Sequence, residues 1–86
     1  MEISQRPLNF QTLQLMLVEC LRERLRAGEI TERGLSRASG ISQPHINNVL
    51  KGKRFLSVEA SDLLLLHLHL DLRDLLRQFH LDSEQH

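Results

Sequence analysis

Apolar positions recur along this chain with a helical period. From Phe10 onward, Leu13, Leu17, Leu21 and Leu25 return every four residues, with Cys20 on the same side, which describes one face of a helix. Pro7 disfavours helical backbone at the residue before it, so the helix starts after it, with Asn9 as N-cap. Gly28 is placed to end it in the left-handed conformation. Thr31 caps a second helix, and Gly40 closes it nine residues later. Gly34 lies inside that helix, at a cost of about 1 kcal/mol relative to alanine. It also stands where a glutamate would complete a capping box. Ser42 caps a third helix whose second residue is Pro44, where no intrahelical amide is missed. This helix runs to Leu50 or Lys51 and stops at Gly52. Ser57 caps a fourth, with Glu59 near its positive end, running to about Leu68. His69 suits the left-handed terminal position. Asp71 caps a fifth helix with Asp74 in its first turn, and Leu72, Leu75, Leu76 and Phe79 form its apolar face. The pattern predicts a polar arm at residues 1–9, one all-α domain over 10–81 and a frayed tail at 82–86.

Composition supports helices over sheets. Leucine supplies 19 of the 35 hydrophobic residues, and there is no Trp, no Tyr and only Phe10, Phe55 and Phe79 among the aromatics. Such a chain is poor in strand-forming side chains. A single domain of 86 residues has a modest core, and a deep cleft between two lobes is not expected. The lone Cys20 has no partner for an internal disulfide and reads as a small core residue. No apolar run is long enough to span a membrane, and the N-terminal stretch MEISQRPLNF has no apolar signal core. The expected location is the cytoplasm. His67 and His69 are two apart and share no helical face, and with His80 they form no recognisable ligand set. No metal or cofactor is therefore expected. Without paired carboxylates, a nucleophile motif or a glycine-rich phosphate loop, the chain is not expected to be an enzyme.

The informative stretch is TERGLSRASGISQPHINNVL, residues 31–50. Two short helices meet at Ser39-Gly40-Ile41. Helices crossing at a steep angle through so short a turn need a residue free to take positive φ and small side chains at the contact. Gly40 supplies the first; Ser36 and Ala38 supply the second. Leu35, Ile46 and Val49 are then expected to point inward, leaving the third helix a polar outer face of Gln43, Asn47 and Asn48.

With this spacing the chain resembles the Cro/repressor-type helix-turn-helix regulators, also called the xenobiotic-response-element family. Leu35, Ser36, Gly40, Ile41, Ile46 and Val49 carry the likeness. Ile41-Ser42-Gln43-Pro44-His45-Ile46 with Gly52-Lys53-Arg54 is similar to the family's recognition helix and the loop that leaves it. Ser57-Val58-Glu59 and Leu68-His69-Leu70-Asp71-Leu72 resemble its fourth helix and the turn into its fifth. The likeness covers residues 21–81. It implies a five-helix, lambda-repressor-like DNA-binding domain with the helix-turn-helix at helices 2 and 3. It further implies a sequence-specific transcriptional regulator, a repressor that binds double-stranded DNA and is associated with the prokaryotic nucleoid. The third helix would enter the major groove. Gln43, Asn47 and Asn48 match base-reading positions, suited to adenine edges, and Pro44 could make only apolar contact there. Asn47 and Asn48 could equally be ordinary solvated residues; the motif around them favours the base contact. Lys51, Lys53 and Arg54 would hold phosphates, Gly52 would allow close backbone approach, and Thr31, Arg33 and Ser42 fall at the helix starts that face the backbone.

Two residues depart from the family pattern. Glu32 stands where many members have glutamine, and an acid there repels a phosphate. Gly34 replaces an acidic residue. Arg33 or Arg37 can compensate. Leu63-Leu64-Leu65-Leu66 covers every side of the fourth helix, so some apolar surface is expected to stay open. A homodimer through Leu66, Leu70, Leu76 and Phe79 would place two recognition helices on successive major grooves of a pseudo-palindrome. The leucine surplus also fits another reading: a protein-interaction module or antitoxin-type regulator on the same fold, binding a toxin or a C-terminal domain.

Charge bears on the choice. The chain has 11 Lys+Arg against 11 Asp+Glu, a net charge of zero, which by itself speaks against a nucleic-acid partner. The distribution is uneven. Residues 22–54 carry eight Lys/Arg against Glu23, Glu29 and Glu32, whereas residues 55–86 carry Arg73 and Arg77 against six acids. One side of such a domain can face DNA while the other is repelled.

Overall fold

Each helix starts where the sequence offers a short side-chain acceptor to a free backbone amide. The computed structural model describes residues 8–79. Residues 1–7 of the expected arm, His80 and Leu81 of the expected domain, and the expected tail lie outside the described residues. Within them the order is α1 (Phe10–Arg26), α2 (Glu32–Ser39), α3 (Gln43–Leu50), α4 (Val58–His67) and α5 (Leu72–Gln78), with no strand among the described residues. Asn9 accepts from the Thr12 amide at 2.9 Å, Thr31 from Gly34 at 2.9 Å and Ser57 from Ala60 at 3.0 Å. Ser42 accepts from His45 at 3.3 Å, with Pro44 in the first turn of α3. Asp71 accepts from the Asp74 amide at 3.0 Å while Asp74 accepts from the Asp71 amide at 3.0 Å, a reciprocal box. That amide bond, followed by the charge of Arg73, holds the Asp71 carboxyl below the ordinary aspartate range.

The helix ends also follow the sequence. Gly28, Gly40 and Gly52 have positive φ, and His69 at φ 60° is the one non-glycine residue described with it. α4 stops at His67 with Leu68 as its C-cap.

α1 is the central element and packs on α3, α4 and α5, while α2 packs on α3 and α4. Because neighbours lie on more than one side, α1 buries Met16 and Val18 as well as Leu17, Cys20 and Leu21. Leu13 and Leu25, at the ends of its leucine stripe, are only partly buried. Leu35, Ile46 and Val49 point inward and are essentially inaccessible to water, as their spacing predicts. The run in α4 divides: Leu64 and Leu65 are buried, Leu63 and Leu66 exposed. No described helix is long and apolar enough to cross a membrane.

Candidate functional site

The α2–α3 junction is built by its own small side chains. Gly40 takes φ 77°, which turns the chain from α2 toward α3. Ser39 Oγ donates to the Leu35 carbonyl at 2.8 Å and accepts from the Ile41 amide at 3.3 Å. Ser36 Oγ donates to the Ile41 carbonyl. Both hydroxyls are thus engaged within the turn, and the Ser36 carbonyl accepts from the Gly40 amide at 2.9 Å. Leu35 from α2 and Ile46 and Val49 from α3 close the corner from within.

This leaves a polar ridge outside. Gln43 and Pro44 are exposed at the start of α3, and Asn47 and Asn48 are half-buried along it. The side-chain amides of Gln43, Asn47 and Asn48 hydrogen-bond to nothing among the described residues, so their donors and acceptors remain open. The Thr31 and Ser42 hydroxyls accept their cap bonds and keep a proton to donate. His45, on the inner side of α3, has a buried Nε2 without a partner among the described residues. Lys51, Gly52, Lys53 and Arg54 are all exposed on the loop after α3.

Two side chains of α1 hold that loop at both ends. Arg22 donates to the Leu50 carbonyl through Nε at 2.9 Å and Nη2 at 2.6 Å, closing the last turn of α3. Gln14 treats Leu56 as a strand would: its Nε2 donates to the Leu56 carbonyl at 3.1 Å and its Oε1 accepts from the Leu56 amide at 3.0 Å. The same Nε2 reaches Ser61 Oγ at 2.9 Å. Sequence reasoning did not single out either residue. Each meets a partner 28 or 42 positions away, and no local pattern signals such a bond.

The cations divide into two sets. Five of the described arginines are in ion pairs: Arg22 with Glu19 at 3.1 Å, Arg24 with Glu29 at 3.6 Å, Arg26 with Glu23 at 3.5 Å, Arg73 with Asp71 at 3.3 Å and Arg77 with Asp74 at 2.8 Å. Arg33, Arg37, Lys51, Lys53 and Arg54 have neither ion pair nor hydrogen bond among the described residues, and all five are exposed. The open cations among the described residues therefore belong to α2 and to the loop after α3. Glu32 is half-buried in the first turn of α2, also without a pair.

Gly34 has a packing reason. A Cβ there would stand 3.1 Å from Thr31 Oγ1, a tight approach to the cap hydroxyl, and 3.8 Å from His67 Nε2, an ordinary contact.

Of the residues expected at a dimer face, Leu66 is 70% exposed, while Leu70, Leu76 and Phe79 are half-buried against the core. The larger open apolar area lies elsewhere. Phe10, Phe55 and Val58 are 75%, 62% and 61% exposed and rim a groove of about 460 Å³. No group of three or more His, Cys, Asp or Glu among the described residues could hold a metal ion. Compared with family models, curated proteins and solved structures, the chain matches none.

Proposed function

We propose that this chain is a sequence-specific DNA-binding regulator of the Cro/repressor type. In this reading α2, the Gly40 turn and α3 form a lambda-repressor-like helix-turn-helix, and α3 lies in the major groove. The observation that carries it is the segregation of charge: every described cation left unpaired lies on α2 or on the loop after α3, beside a ridge of unbonded amides. Unpaired exposed cations are what phosphates recruit, and unbonded amides are what base edges recruit. Gln43, with its side chain free at the start of α3, reads a base edge, and adenine N6/N7 suits its amide. Asn47 and Asn48 extend the contact, and Pro44 packs against a thymine methyl. Lys51, Lys53, Arg54 and Arg33 hold backbone phosphates, with the Thr31 and Ser42 hydroxyls donating. Glu32 weakens the contact at the start of α2, and Arg33 and Arg37 offset it. The protein represses by occupying a pseudo-palindromic operator as a dimer.

The test is selection from a random duplex library by the full chain. The expected result is enrichment of one motif with a fixed half-site spacing. Gln43→Ala should relax preference at one position, a loss of about 1–3 kcal/mol of discrimination. Recovery of no enriched sequence at low salt overturns the reading.

A further inference from the structure

An apolar groove lies between the first turns of α1, the start of α4 and the start of α5, and no residue of α2 or α3 lines it. Leu17, Leu65 and Leu75, buried in the core, form its floor, and Phe10, Phe55 and Val58 stand exposed on its rim. Its volume, about 460 Å³, is in the range of small-molecule sites, which are mostly apolar with a few placed polar groups.

The polar side chains of the groove define what fits it. Gln14 bonds to the backbone of Leu56 and to Ser61 Oγ, and Ser61 Oγ donates to the Ser57 carbonyl at 2.9 Å, so both are engaged. Gln11 and Asp62 have neither hydrogen bond nor ion pair among the described residues. Asp62 is the one charged side chain among the described residues that line the groove. An occupant that covers the floor also takes water from this carboxylate. A neutral body leaves the charge desolvated without a partner, and an anion adds repulsion; both are costly. A second copy docked through the same groove brings another carboxylate rather than a cation. An organic cation meets both demands, since its apolar body covers the leucine floor and its charge pairs with Asp62. The aromatic rim favours the same sign, because the face of a phenyl ring attracts cations.

We infer that this groove is a binding site for a small hydrophobic cation, with Asp62 as its counter-ion and Phe10 and Phe55 flanking it. The site needs no DNA, so it stands or falls separately from the α3 ridge.

NMR titration of the full chain with tetraphenylphosphonium and with tetraphenylborate, ions of nearly the same shape and opposite charge, tests it. The phosphonium should shift signals of groove residues such as Leu17, Val58 and Leu65, and should bind there more tightly than the borate. Asp62→Asn should weaken phosphonium binding about fivefold, the upper range for an exposed ion pair. Asp62→Lys should reverse the preference between the two ions. Glu59→Gln removes an acid one turn earlier on α4 that does not line the groove, and should change neither affinity. Both substituted side chains are exposed, so circular dichroism should show unchanged helix content. Phosphonium binding that Asp62→Asn leaves unchanged, or that Glu59→Gln weakens as much, would overturn the inference. So would borate held as tightly as phosphonium, or a wild type that takes up neither ion, which would leave the groove to another protein.

Discussion

Gly40 and Gly34 are both glycines for structural reasons, and the reasons differ. At Gly40 an added Cβ would touch nothing within 4 Å, but φ is 77°. The obstacle there is the backbone conformation alone. Gly40→Ala should therefore cost about 1–2 kcal/mol, the left-handed penalty of an L-residue. Urea denaturation should show a lower midpoint with an unchanged slope. At Gly34 the obstacle is the Thr31 cap hydroxyl, 3.1 Å from where a Cβ would stand. The buried Nε2 of His45 has no comparable explanation in the structure.

Helices were the most legible elements, because their starts are written locally. Asn9, Thr31, Ser42, Ser57 and Asp71 each cap the helix they were expected to cap. His69 takes its left-handed turn for the same local reason. What sequence could not give was which leucines of a continuous run face inward. Leu63 to Leu66 offer every direction, and only the packing of α1 and α2 against α4 selects Leu64 and Leu65. Nor could it show that Leu70, Leu76 and Phe79 find cover on the core, since that depends on where α5 docks. The candidate site was readable along α3 and its loop, where residues are neighbours in sequence. Its supports on α1 were not, since Arg22 and Gln14 act across the fold. Gln14→Ala should strand the amide and carbonyl of Leu56, a residue whose side chain is buried, and cost about 1–3 kcal/mol. Amide hydrogen exchange should then accelerate at Leu56 and through the basic loop, more than along α2. Uniform acceleration would mean that Gln14 supports the whole core instead.

For the whole molecule, the neutral total charge conceals an ordered surface. Five arginines on α1 and α5 are neutralised by nearby acids, and the described cations left unpaired gather on α2 and the loop after α3. Exposed ion pairs contribute little to stability, at most about 1 kcal/mol each. Their larger consequence here is to silence charge away from the α2–α3 face. A molecule arranged this way should bind random DNA more weakly than a uniformly basic domain and depend on salt through only a few contacts. The most direct test is binding of the selected duplex titrated with salt. The logarithm of the binding constant should fall linearly with the logarithm of salt concentration, and Lys53→Ala should lower that slope by about one per protomer, weakening all sequences alike. No binding by the wild type at low salt, or a slope that Lys53→Ala leaves unchanged, would contradict the account.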